Sequence, residues 1–510
     1  MSLARTLGVA LTGVQGDVIE IEADVADSSL PGLQFTGLAD ATVVESRDRI
    51  RAALTNSGIT WPNKRITLAL FPADVRKVGS RFDLGMAMAL LGAAKQIPAD
   101  ALNGVVWIAE LGLDGRLRAV RGVLPSIVAA RRAGYRRMVV AAGNAAEAAL
   151  VPDVDVRAAE NLRELLDWFL GLGPAPAPAQ RAAEPSLDAP VPDLADVAGQ
   201  SAAKRALEIS AAGHHHLYLV GVPGAGKTML AERLPGLLPD LDDDAALEVT
   251  AVHSVAGRLD AETGLIRRPP LQAPHHTASM AALVGGGSGL ARPGAISLAH
   301  HGCLFLDEAP EFSASSLDAL RQPLEKGQVV LHRSGGVVRY PANFQLLLAA
   351  NPCPCGARPD DCICTPPVRR RYLQRISGPL LDRIDLRVQV DPVLHAELFE
   401  TAGERVASGT VAERVASARA AARERWADSG WQLNSQAPGS QLRRGRWALP
   451  RTVIRPAEDY LRRGELSVRG LDRVLRVAWT IADLGGRTVP ELADVAEALY
   501  FRSGASSWAA

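Results

Sequence analysis

Gly221-Val222-Pro223-Gly224-Ala225-Gly226-Lys227-Thr228 has the form G-x-x-x-x-G-K-[ST], a loop whose backbone N–H groups can turn inward around a phosphate. The residues on either side give it the right setting. Leu217-Tyr218-Leu219-Val220 is a short apolar run of buried-strand type, and Thr228 to Leu234 has helical composition before Pro235. Strand, glycine loop and helix together predict a nucleotide site: the helix N-terminus adds partial positive charge. Lys227 would reach the β and γ phosphates, and the Thr228 hydroxyl would hold Mg²⁺. A glycine-rich turn without a ligand is the simpler alternative.

Working outward, a sheet built on such a loop needs acids at the end of a neighbouring strand. Cys303-Leu304-Phe305-Leu306-Asp307-Glu308 supplies four apolar residues and two carboxylates. Asp307 is expected to act on Mg²⁺ through water, and Glu308 to orient and polarise the attacking water. Phe344-Gln345-Leu346-Leu347-Leu348-Ala349-Ala350-Asn351 is a further buried strand with a polar end, so Asn351 can position the same water. Gly378-Pro379-Leu380-Leu381-Asp382-Arg383 places an arginine after a short apolar helix. Arg383 would either reach a neighbouring subunit's nucleotide as an arginine finger or form a surface ion pair. Leu466-Ser467-Val468-Arg469-Gly470 opens a helix with Leu471, Val474, Leu475, Ala478 and Ile481 on one face, and Arg469 could touch the phosphates from there. Asp196-Val197-Ala198-Gly199-Gln200 precedes a helix expected from Ser201 to Ala212, beside the nucleotide.

The chain has 510 residues, too many for one core, so two to four domains are expected. Lys plus Arg and Asp plus Glu number 56 each. That balance excludes a diffuse polyanion-binding surface, and any nucleic-acid site must be a local patch. No apolar run approaches the ~18 residues of a membrane span, and the N-terminus lacks a secretory pattern. Four of the five cysteines fall between positions 353 and 364, which is not a secreted disulfide framework. A cytoplasmic protein is the expectation.

Residues 1–170 mix both kinds of element. Ile19, Ile21 and Val25 alternate with acids, as in a half-buried strand. Ala41 to Ser57 reads as a helix, Ile66 to Leu70 as a strand, and Leu84, Met88 and Leu91 as a helix face that Asp83 could cap. Val105 to Ile108 and Met138 to Val140 are further strands. Residues 171–192 contain Gly173-Pro174-Ala175-Pro176-Ala177-Pro178-Ala179, an alternation expected to form a semi-rigid linker. An ATPase core at 193–392 and a helical lid at 393–510 complete the division.

Two further patterns bear on ligands. Gln328 to Tyr340 reads as a hairpin, two β-branched runs around Ser334-Gly335-Gly336, with His332 and Arg333 near its tip. Those two side chains could hold DNA phosphates, or the hairpin could be an ordinary exposed one. Cys353-Pro354-Cys355 and Cys362-Ile363-Cys364 make C-x-C-x₆-C-x-C, four thiols able to close a tetrahedral Zn²⁺ site or to remain reduced. Arg369-Arg370-Arg371 follows, a run either solvated or set against DNA. His275 and His276 are read as polar loop residues in preference to metal ligands.

Resemblance sharpens this reading. Gly79-Ser80-Arg81-Phe82-Asp83-Leu84-Gly85-Met86-Ala87-Met88-Ala89 and Gly112-Leu113-Asp114-Gly115-Arg116-Leu117 through Gly122 resemble the proteolytic domain of Lon. Asp83 stands where that family has its serine, and Leu124 and Ser126 stand where it has lysines, so the resemblance implies a Lon-like α+β fold without protease activity. The P-loop, Asp307-Glu308, Asn351, Arg383 and Arg469 together resemble an AAA+ ATPase. Ala273-Pro274-His275-His276-Thr277-Ala278-Ser279, Val284-Gly285-Gly286-Gly287, Arg292-Pro293-Gly294-Ala295-Ile296-Ser297-Leu298-Ala299-His300 and Asn351-Pro352-Cys353-Pro354-Cys355-Gly356 resemble the magnesium-chelatase-like family, in its ComM/YifB branch. Ala295 departs from the Glu usual there, away from the chemistry. The fold so implied is α/β, an AAA+ P-loop core with helical lid, preceded by the Lon-like domain. The residues from 256 to 300 look like that clade's insert and are expected to face a ring's pore beside the hairpin. The resemblance implies a hexameric ATP- and Mg²⁺-dependent motor, with branch-migration helicase work on DNA in recombination or transformation. A chelatase-type motor for a tetrapyrrole enzyme and a protein-remodelling role are the alternatives.

Overall fold

The computed structural model describes residues 2–27, 31–37, 40–181, 192–259, 264–287, 291–333, 336–357, 361–393 and 405–503. Ser334 and Gly335 of the expected hairpin turn, and 182–191 of the expected linker, lie outside them.

The apolar runs around the glycine loop become five parallel strands in the order Leu271–Gln272, Cys303–Leu306, Gln345–Ala350, Leu217–Val220, Leu386–Gln389. Parallel strands need cover on both faces, which is why these segments are continuously apolar. Leu217, Leu219, Leu347, Ala349, Leu386 and Val388 enter one core; Tyr218, Val220, Leu304, Leu306, Leu346 and Leu348 enter the other. The second core is closed by Ile296, Phe312 and Leu317. The first is closed by helix Ser201–Gly213 and by the C-terminal helices Ser408–Trp426, Val468–Leu484 and Leu492–Ser503, through Val415, Trp426, Val474, Trp479 and Val495. The C-terminal helices therefore share the core of the five-stranded sheet. Ion pairs fix their seating: Arg473 Nη1 lies 2.5 Å from Oδ1 of buried Asp385, and Nε of half-exposed Arg205 lies 2.9 Å from Glu497 Oε1.

The N-terminal sheet has seven strands, in the order Gly32–Thr36, Arg65–Phe71, Gln15–Ala26, Ser2–Thr12, Val105–Ile108, Arg137–Ala141, Asp155–Ala159. Ile19, Ile21, Leu68 and Leu70 pack under helices Ser46–Asn56 and Asp83–Ala93. The expected single helix from Ala41 is two pieces, Ala41–Val44 and Ser46–Asn56. On the opposite face Leu7, Val9, Val106 and Val140 pack under helix Val123–Arg132.

Asp83 does not cap its helix. Phe82 is the capping position and Asp83 the first helical residue. Its carboxylate, 0% exposed, accepts from the Ser46 hydroxyl, from Arg49 Nε at 2.7 Å and from the Leu111 backbone N–H at 3.4 Å. Ser80 is engaged as well, donating to Glu110.

The Pro/Ala stretch begins on the N-terminal sheet. Ala158 N–H donates to Ala177 O at 2.9 Å and Ala179 N–H to Val156 O at 2.8 Å, so this tract lies along the edge strand Asp155–Ala159. Pro176 and Pro178 bring no N–H to that edge, so nothing of theirs is left unpaired there.

The two bodies touch along helix Asp243–Ala256, whose Ala251 joins the core under Val123–Arg132 and whose Ser254 hydroxyl donates to half-buried Glu147. At Gly13, φ is +69° and a Cβ would lie 2.5 Å from the Arg339 carbonyl oxygen. The N-terminal turn thus closes directly onto the hairpin strand Gly336–Pro341.

Candidate active site

Parallel strand order decides what meets what. Val220, Leu306 and Ala350 end at the same edge of the sheet, since Val220 pairs with Ala350 and Leu306 with Leu348. The loop after Val220, the acids after Leu306 and Asn351 after Ala350 therefore converge, as ligand sites do at strand C-terminal ends. Gly221 N–H donates to Ala350 O at 3.1 Å, and a Cβ on Gly221 would sit 2.2 Å from Val390 O, so only glycine fits. Gly224 and Gly226 take φ of +79° and +92°, which other residues rarely adopt. Helix Lys227–Arg233 starts from Gly226.

Lys227 is buried, its ammonium donating to Gly221 O (2.7 Å), Val222 O (3.0 Å) and Asn351 Oδ1 (3.1 Å). Burial pushes its pKa down, and Asp307 and Glu308 oppose that. Thr228 Oγ1 donates to Asp307 Oδ2 at 2.8 Å, so the two residues expected at Mg²⁺ already face one another. This oxygen pair fits a hard cation held partly through water. Beside them lies a cavity of about 750 Å³ lined by Pro223, Gly224, Ala225 and Gly226 on one side and Val197, Gln200 and Gly356 on others. Gln200, just before helix Ser201–Gly213, donates from Nε2 to Ala225 O at 3.1 Å.

Glu308 has φ +50° and ψ +44°, a left-handed conformation that costs a non-glycine residue energy and turns its side chain away from the strand direction. Its Oε2 lies 3.0 Å from His276 Nδ1. Sequence reading takes His276 for a polar loop residue, and so misses its approach to Glu308. The signal lies in Leu271-Gln272, which forms the strand next to Cys303–Leu306 and delivers the following loop to the same sheet edge. His275 does behave as a polar loop residue, its Nδ1 2.8 Å from Thr277 Oγ1.

Other expected site residues are not at this pocket in the single chain. Arg383 is mostly covered, donating from Nη1 to Pro379 O at 2.6 Å and pairing with Glu325. Arg469 is exposed at the start of helix Val468–Leu484. The hairpin forms between Gln328–Arg333 and Gly336–Pro341, with His332 exposed and opposite Val337, and with Arg333 opposite Gly336. Its base meets the insert: a Cβ on Gly285 would touch Leu331, and Tyr340 donates its hydroxyl to Ala291 O. The four loop cysteines are free thiols whose sulfurs all lie within 4.8 Å of one another. Among the described residues no helix is long and apolar enough to cross a membrane.

Comparison with known proteins adds relatives along the whole chain. Residues 193–398 match the model described as magnesium chelatase, subunit ChlI; residues 21–144 match subunit ChlI of Mg-chelatase; residues 405–502 match the C-terminal part of that subunit. A Mycobacterium tuberculosis protein is 53% identical over 504 residues, covering 98% of this chain and 99% of its own. The YifB protein of Salmonella typhimurium is 43% identical (97% and 94% covered), and the competence protein ComM of Haemophilus influenzae 41% identical (99% and 98%). A stretch of 183 residues, 34% of this chain, is 31% identical to part of the Lon protease of Mycolicibacterium smegmatis, which is consistent with the Lon-like reading. Sheet order, phosphate loop and full-length similarity agree: the chain belongs to the magnesium-chelatase-like AAA+ family, in the branch whose members are called ComM and YifB.

Proposed function

We propose that this protein is an ATP-hydrolysing ring motor of the ComM type, most plainly a homo-hexamer, that translocates on single-stranded or branched DNA and drives branch migration. Membership of the family implies ATP and Mg²⁺. Lys227 and the loop N–H groups would hold the phosphates, and Thr228 and Asp307 the Mg²⁺, which supplies charge neutralisation at the phosphates when bound. Glu308 would draw the proton from the attacking water while Asn351 holds its position. Arg383 would leave Glu325 and reach the neighbouring subunit's nucleotide, and Arg469 would approach from the lid. The four cysteines would hold zinc: a tetrahedron with Zn–S bonds of about 2.3 Å spaces its sulfurs about 3.8 Å apart, and these four lie within 4.8 Å of one another, with Cys353 Sγ inside that spacing at 3.1 and 3.4 Å from those of Cys355 and Cys362.

One observation carries the DNA reading. The hairpin strand Gly336–Pro341 continues after three residues into Gln345–Ala350, and the next residue, Asn351, accepts from Lys227. A pull on His332 and Arg333 would be felt at the phosphate site through one short covalent path. Zero net charge favours such a concentrated grip over a diffuse one.

The test is ATPase rate with single-stranded, duplex and branched DNA. Stimulation is expected, and the double change His332→Ala and Arg333→Ala should abolish it while keeping basal hydrolysis. The salt slope of DNA binding should fall by roughly 0.7 to 0.9 for each phosphate the variant no longer neutralises. A rate indifferent to every DNA would move the weight to a chelatase-type or protein-remodelling motor.

A further inference from the structure

The loop that carries the four cysteines lies against the nucleotide cavity and supplies part of its wall. Cys353 is buried two residues beyond Asn351, so the cluster is rooted at the end of the strand that serves Lys227. Cys355 is followed by Gly356 and Ala357, and both line the cavity of about 750 Å³ together with Asp361, the residue before Cys362. Gly356 takes φ +66°, and a Cβ there would sit 2.9 Å from Pro223 Cγ of the phosphate loop. The far end is tied down by Arg369 Nε, which donates to Cys364 O at 3.1 Å from helix Pro366–Leu373. The wall residues thus lie between the two pairs of thiols, and whatever fixes the thiols fixes the wall.

We propose that a Zn²⁺ ion bound by Cys353, Cys355, Cys362 and Cys364 is a structural part of the nucleotide pocket, so that metal occupancy sets nucleotide affinity. This rests on the nucleotide site and the zinc ligation argued above. Closing the loop through four thiolates removes the conformational freedom that Gly356 and Ala357 would otherwise lose on meeting nucleotide. Removing the metal transfers that cost to nucleotide binding. The cluster would then be a pocket element rather than a DNA-binding knuckle.

The experiment uses the full-length protein. Zinc is counted by metal analysis, and a fluorescent ADP analogue is titrated into protein as purified, after chelation, and after zinc is returned, with far-UV circular dichroism and sizing on each sample. The expected result is one zinc per chain, a drop of at least about tenfold in affinity on chelation, and recovery with zinc. Absence of zinc would overturn the ligation itself. One zinc per chain with affinity unchanged on its removal would overturn the coupling and leave the ligation standing. Where chelated protein unfolds, Cys364→Ser decides: lowered zinc content with weaker nucleotide binding supports the coupling, and lowered zinc content with unchanged binding overturns it.

Discussion

Lys227 and Asp83 occupy matching places in two different domains. Each is the first residue of a helix that follows a glycine-bearing turn, and each is a buried charge. Their partners differ. Lys227 donates to two backbone carbonyls and one amide oxygen, all neutral, with a cavity beside it. A phosphate oxygen is a stronger, charged acceptor and can replace them. Asp83 is held by a guanidinium, a hydroxyl and a backbone N–H, and is 0% exposed. A charge whose partners are weak and replaceable can do chemistry, whereas one fully matched inside a core holds structure.

The sharpest division between the two is functional. Lys227→Ala should lower ATP hydrolysis by roughly 100- to 1000-fold, the usual effect of removing a donor at developing charge, with thermal unfolding little changed. Glu308→Gln should be similarly slow yet retain bound ATP, read by nucleotide release after rapid desalting. Wild-type turnover in Glu308→Gln would remove that carboxylate from its assigned role.

Asp83→Ala should show the reverse. Removing a buried carboxylate that Arg49, Ser46 and the Leu111 N–H all donate to should destabilise the N-terminal domain by about 3–5 kcal/mol, measured by urea unfolding, with nucleotide affinity kept. Failed nucleotide turnover at unchanged stability would break the comparison.

His276→Ala is expected to have a smaller effect. The imidazole fixes a carboxylate already in a left-handed backbone, so kcat should fall several-fold with the ATP KM unchanged. No change in kcat would make the pairing incidental. Smallest is Ser80→Ala, which removes a hydroxyl bound to Glu110. It should cost about 1 kcal/mol and leave ATP hydrolysis untouched; a large fall in any activity there would reopen the N-terminal site.

Much of the geometry of the candidate site could be read from sequence because its signals are local. A glycine loop, a doubly buried strand and two acids at a strand end each announce themselves within eight residues, and parallel pairing then brings Thr228 to Asp307 and Lys227 to Asn351. What escaped was long-range. His276 reaches Glu308 from an irregular loop after a two-residue strand too short to show a period. Asp83 suggested a cap because helix signals are local, while Arg49 arrives from another helix. The C-terminal helices read as a lid from their amphipathic faces, but those faces do not disclose that they pack on the same sheet face as Leu217 and Leu219.

The paired Pro/Ala tract has a consequence for solubility. A sheet ending at Asp155–Ala159 would present a row of free backbone groups to any passing chain, a template for self-association. Ala177 and Ala179 occupy part of that row, and Pro176 and Pro178, which alternate with them, cannot pass the ladder outward because they have no N–H to offer. The tract therefore works as a stopper. A fragment cut after Leu170 should oligomerise through its bare border, whereas one carried to Arg181 should stay monodisperse in light scattering.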